Sequence, residues 1–229
     1  GGAARRAART APSREAARYI TRNIPNFEVL DSEALEIIEA NAETVLEEIG
    51  VTFVENPGAL ALWHEAGADV QEDRVRIPRG LARKLIGPAE FTQHARNAER
   101  NVAIGGRNLV FAPVYGPPFV RDQEGGRRYA TMADFEKLVK LAYQSKWLHH
   151  SGGTVCEPTD VPVNKRHLDM LYAHMRLSDK PFMGSVTDPK RAEDSVRMCE
   201  LLFGERFVAE NAVMTSLINI NSPLTFDNV

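Results

Sequence analysis

In the second half of the chain, short apolar runs alternate with longer stretches whose apolar positions recur every three to four residues. The runs 109–114, 147–156, 182–186 and 212–220 each end in small, polar or proline residues, as buried strands do. The stretches between them read as helices. Thr131 with Asp134 three residues on forms a capping box, and Met132, Phe135, Leu138, Val139 and Ala142 line one face. Leu168, Leu171, Tyr172 and Met175 do the same over 162–177. Val196, Cys199, Leu202 and Phe203 do so between the Asp188–Pro189 start and Gly204. Strand–helix units that begin about every 30 to 38 residues build parallel sheet. The fold class expected is α/β of the TIM (β/α)8 barrel type, with about four βα units, or half a barrel, whose carboxyl tips converge on one ligand site. Such a half exposes two unpaired edges, so either a second half lies outside this chain or two copies pair as a homo-oligomer.

Earlier residues follow other patterns. Residues 1–22 hold six arginines and a single acid, Glu15, and read as a flexible basic arm, with contact to RNA or a partner as the alternative. Over 23–90 the pattern is helical with small strands. A helix over 31–49 puts Leu35, Ile38, Ala42, Val45, Leu46 and Ile49 on a packing face, with Asp31 or Ser32 to cap it and Gly50 to end it. A strand at 51–54, helices at 57–66 and 78–86, and alternation of Val70, Val75 and Ile77 about a turn complete that segment. From residue 91, strands at 91–95, 101–104, 119–122 and 127–129 join the run at 109–114, with Gly105–Gly106 and Gly125–Gly126 at hairpin turns. The domain plan is thus an arm over 1–22, a helical segment over 23–90 and a half barrel over 91–229.

Composition narrows the function classes. With 229 residues, 43% of them hydrophobic and 26% charged, the chain can bury a sizeable core. A net charge of -3 gives no general reason to bind nucleic acid or a membrane surface, and no apolar run approaches the roughly 20 residues of a spanning helix. Cys156 and Cys199 make no metal or disulfide pattern, which fits a cytoplasmic location, and the first residues given lack the apolar core of a signal peptide. No phosphate loop or dinucleotide fingerprint occurs. The chain has no initiator methionine and stops at Val229 where a helix is due, so a fragment is expected.

Candidate chemistry gathers at the run ends. Tyr115 and Phe119 sit in a Pro/Gly-rich tip and can offer aromatic faces to a ligand, or simply pack the loop. His149 and His150 precede Ser151, and neighbours on one strand point to opposite faces, so this is no catalytic triad. His149 is the candidate to face the barrel interior, against a structural, hydrogen-bonded role. His167 and His174 lack the further ligands of a zinc site, and no metal is expected. Glu157 can balance a cation, but Pro158 beside it makes a surface turn the simpler reading. Asn219 and Asn221 are two apart, share a face and can present amides to the barrel mouth together.

Several stretches resemble one family. Asn26–Phe27 before an acidic helix, Gly50-Val-Thr-Phe53, Ala112-Pro-Val-Tyr-Gly-Pro-Pro-Phe119, Lys180-Pro-Phe-Met-Gly184 and Asn219-Ile-Asn-Ser-Pro-Leu224 are similar to the N-terminal half of the trimethylamine methyltransferase family. That family includes relatives without pyrrolysine that demethylate glycine betaine and similar quaternary amines. The resemblance implies a TIM barrel that passes a methyl group from a methylated amine to the Co(I) of a corrinoid (cobalamin) carried on a separate, cognate protein. The family's pyrrolysine position falls beyond Val229. A quaternary ammonium has no N–H to donate, so aromatic faces suit it, at about 0.5 to 2 kcal/mol per contact. Methyl displacement asks for little acid or base work, since the amine leaves neutral. The alternative is a non-catalytic quaternary-amine-binding or scaffold protein on the same fold.

Overall fold

The computed structural model describes residues 20–25, 27–87, 89–217 and 224–226. In chain order the first elements are β1 (Ile20–Thr21), α1 (Ser32–Thr44), β2 (Val51–Phe53), α2 (Pro57–Ala66), β3 (Asp69–Gln71), β4 (Arg74–Arg76) and α3 (Leu81–Leu85). Then come β5 (Phe91–Gln93), β6 (Val102–Ile104), β7 (Asn108–Leu109), β8 (Phe119–Asp122), β9 (Gly126–Tyr129) and α4 (Met132–Gln144). The last are α5 (Val163–Leu177), β10 (Phe182–Met183), α6 (Pro189–Phe203), α7 (Glu205–Glu210), β11 (Met214–Thr215) and β12 (Thr225–Phe226). These form two compact units, one built mainly on Glu90–Val186 and Lys190–Leu217, the other mainly on Asn23–Ala89.

In the unit built on Asn23–Ala89, a four-stranded sheet runs in the order β12-β2-β4-β3. Val51, Phe53, Ala68, Val75 and Ile77 form its core, with Leu46 and Trp63 packed against them. Asp31 caps α1 by accepting from the Ala34 N–H at 2.9 Å, and the helix continues through a π-helical turn, Val45–Ile49, into Gly50. Gly50 has φ 76°, and a Cβ there would lie 2.4 Å from the Val75 carbonyl oxygen, so both conformation and contact demand glycine. The packing face read from the sequence is realised only at its end. Leu46 joins the core, whereas Leu35 and Ile38 stay 54% and 55% exposed. The acidic side of the helix is the one engaged: Arg83 pairs with Glu39, and Arg79 with Glu43 and Glu47. Of the arm over 1–22, only the last residues are described. Ile20–Thr21 pairs antiparallel with Asn108–Leu109, and Arg107 Nε donates to the Arg22 carbonyl at 2.7 Å, so this end is held in a strand.

The larger unit keeps the strand–helix alternation but little regular strand. Among the described residues the sheets are small and none closes into a barrel; the fold is mixed α/β. Four segments nevertheless lie side by side in one direction. His149 N–H donates to the Phe111 carbonyl and Gly116 N–H to the Thr154 carbonyl, so 111–116 and 149–154 advance together. Ser151 N–H then meets Pro181 O, Met183 N–H meets Gly152 O, and β10 pairs parallel with β11. The 147–156 run forms no strand, and those at 109–114, 182–186 and 212–220 shrink to two residues or fewer of strand each, with 218–220 outside the described residues. Proline explains much of this, since Pro113, Pro117, Pro118 and Pro181 have no N–H to give a ladder, and Gly152 at φ 91° breaks the extended path. Four parallel segments are also too few to close a barrel, which takes about eight.

Helices cover this layer. Phe135, Val139, Met170 and Ala173 of α4 and α5 enclose Val155 and Cys156, and Leu171, Met175 and Cys199 of α5 and α6 enclose Phe182 and Val213. The helix starts are those read from the sequence: the Thr131–Asp134 capping box is formed. Arg128 adds a two-pronged bond to the Asp134 carboxylate, at 2.5 and 2.9 Å, and this guanidinium holds Asp134 well below the usual carboxylate range. No helix among the described residues is long and apolar enough to cross a membrane.

Candidate active site

The tips of the first three parallel segments meet around Tyr115, Gly153 and Met183. Tyr115 is 41% exposed, and its Cε2 lies 2.9 Å from where a Cβ on Gly153 would stand. The backbone beyond it is tied down by the Gly116 N–H to Thr154 carbonyl bond of 2.7 Å. Phe119 goes elsewhere. It opens the β8–β9 hairpin, its ring 4.6 Å from that of Tyr129 and 3.8 Å beneath the Arg127 guanidinium, so its aromatic faces are engaged within the hairpin.

His149 is buried, stacks on Phe111 at 5.9 Å between centroids, and accepts the Phe111 N–H at Nδ1. That bond ties the second segment to the first. His150 lies deeper: Nδ1 accepts from the Gly152 N–H at 3.0 Å, which leaves Nε2–H to donate to Gln93 Oε1 at 3.2 Å. Gln93, fully buried on β5, donates in turn to the carbonyls of Phe182 and Val213. One amide thereby joins the second, third and fourth segments. Burial, with nearby His174 second, pushes His150 down to about 3, so its ring is neutral at physiological pH.

Ser151 does have a histidine partner, though not a neighbour in sequence. Its hydroxyl lies 2.9 Å from His174 Nδ1 on α5, and His174 Nε2 lies 2.8 Å from the Gly153 carbonyl. The Gly153 carbonyl can only accept, so the neutral His174 ring carries its proton on Nε2 and its Nδ1 accepts from the Ser151 hydroxyl, which also lies 3.0 Å from the Pro181 carbonyl. Burial pushes His174 down to about 4, although the Gly153 carbonyl acts against this. Ser151 and His174 are 0% and 1% exposed, so no substrate reaches them and the pair is structural.

Two other polar groups need placing. Lys180 is 2% exposed, and its ammonium donates to the carbonyls of Ala142, Ser145 and Leu148 at 2.7 to 2.8 Å, serving carbonyls at and just beyond the carboxyl end of α4. Burial, with Arg100 adding and Asp179 opposing, lowers its ammonium to about 8. Glu157 pairs with Arg166 and is not held open for a ligand. Asn219 and Asn221 lie outside the described residues. Among the described residues no group of three or more histidine, cysteine or acidic side chains can hold a metal ion.

The sequence brings Tyr115 and His149 to neighbouring segments, and leaves Phe119 in its own hairpin. The residues that the sequence did not single out are Gln93 and Lys180. Only Lys180 carried a signal, a charged residue placed directly before an apolar strand start.

Compared with known proteins, the whole chain, residues 1–229, matches the family described as trimethylamine methyltransferase (MTTB). It is 44% identical over 207 residues to a glycine betaine methyltransferase of Desulfitobacterium hafniense (strain Y51). The alignment covers 89% of this chain and 43% of that protein, so the chain spans less than half the length of this relative.

Proposed function

The chain belongs to the trimethylamine methyltransferase family, and from that premise we propose that it serves in methyl transfer from a quaternary amine, glycine betaine or a close analogue, to the corrinoid of a cognate partner protein. The observation that carries this reading is the 44% identity to a protein named for glycine betaine. The tip chemistry is compatible with it. Tyr115 offers a half-exposed aromatic face beside small residues, which suits a cation that cannot donate a hydrogen bond. His150 and His174 are neutral and committed to backbone, hydroxyl and amide partners, and this reaction needs no acid–base pair. When present, the Co(I) corrinoid supplies the nucleophile, and the protein's share is to align the methyl carbon and exclude water.

The test is spectral. Mixed with a corrinoid protein in the Co(I) state and glycine betaine, the full-length protein should convert the cobalt to methyl-Co(III), seen in the visible spectrum. No change with glycine betaine, trimethylamine, carnitine or proline betaine sinks the proposal.

A further inference from the structure

We infer that Gly153 is a positioning residue for Tyr115: the missing side chain at 153 fixes where the aromatic face stands. This rests on the functional reading above for its link to substrate, but the contact itself does not. A Cβ built on Gly153 falls 2.9 Å from Tyr115 Cε2 and 2.7 Å from Met183 Cβ, closer than carbon atoms approach. Gly153 is absent from the positive-φ glycines, so contact and not backbone conformation excludes a side chain here. The glycine cannot retreat. Its carbonyl accepts from the Val155 N–H at 2.8 Å and from His174 Nε2 at 2.8 Å. Met183 Cβ is fixed to its backbone, so a methyl at 153 would strain that contact in any case, and of the two neighbours the tyrosine ring is the side-chain end that can turn aside. With 41% of its surface exposed, Tyr115 is located by this wall and by the Gly116–Thr154 bond, not by enclosure.

Two measurements test it. Glycine betaine is titrated calorimetrically into the chain and into Tyr115→Ala, Gly153→Ala and the double variant. Tyr115→Ala should weaken binding about two- to thirty-fold, the span of one cation–π contact. Gly153→Ala should produce a loss in the same range, with no further loss when Tyr115 is already alanine. An equal loss from Gly153→Ala in both backgrounds, or none in either, overturns the inference. Unchanged binding in Tyr115→Ala instead removes Tyr115 from the substrate reading. The second measurement needs neither substrate nor a glycine variant. With 3-fluorotyrosine at the five tyrosines, the Tyr115 fluorine line is identified by its loss in Tyr115→Phe. It should be broad and shifted from its position in urea; a line as narrow as in urea overturns the inference whether or not Gly153→Ala folds.

Discussion

The Ser151 hydroxyl stands 2.9 Å from Nδ1 of His174, and both side chains are sealed from solvent. The contact looks like half of a hydrolytic triad but works as a clamp between the second parallel segment and α5. Ser151→Ala would leave a buried imidazole nitrogen without its donor, at a cost of about 1–3 kcal/mol. The thermal midpoint should fall by several degrees while glycine betaine affinity stays the same. A loss of affinity without a loss of stability would refute the structural assignment.

The neutral histidines also set the acid limit. His150 and His174 titrate at about 3 and about 4 when folded, against about 6.5 when unfolded. Below pH 6.5 the unfolded chain takes up protons that the folded chain refuses. Stability is therefore full above that pH and is lost as pH falls toward 4 and then 3. Between pH 7 and pH 5 the loss is about 2 kcal/mol for each histidine, and urea midpoints at the two pH values measure it. Equal midpoints would show that these rings are not buried in neutral form.

Lys180→Met keeps much of the side-chain volume but strips three carbonyls of their donor. A loss of about 2–4 kcal/mol is expected from the unmet carbonyls at the carboxyl end of α4. Hydrogen exchange should localise the change to α4 and the 145–148 turn. Uniform protection across the unit would count against a local cap.

Burial pushes the thiols of Cys156 and Cys199 up, to about 11 and about 12. In the native protein at pH 8 neither should react with an aromatic disulfide reagent within minutes, and both should react in guanidinium. Rapid reaction of either thiol in the folded chain would contradict its enclosure.

The helices of the larger unit were legible because their signals are local. Thr131 with Asp134, and the spacing of Phe135, Val139 and Ala142, specify α4 without reference to anything distant. The expected strands were too long because an apolar run does not reveal how many backbone N–H groups will find partners. Pro113 and Gly152 decide that position by position, and the hydrogen bonds that remain are widely spaced. Of the candidate site, Tyr115 was visible as an aromatic at a Pro/Gly tip. The role of Phe119 depended on Arg127 and Tyr129 across a hairpin, and the partner of Ser151 lay on the following helix. Such pairings are set by three-dimensional packing that periodicity does not encode.

Gln93 has an implication for biosynthesis. It leaves the ribosome 120 residues ahead of Val213, one of the carbonyls its amide serves. At about 5–20 residues per second, that is roughly 6–24 s before this last of its partners, after His150 and Phe182, can be met. The larger unit is thus committed to finishing after most of its translation is over. Nascent chains arrested before residue 213 should remain open to proteases at the 91–104 hairpin; early protection there would show that the hairpin settles without its distant anchor.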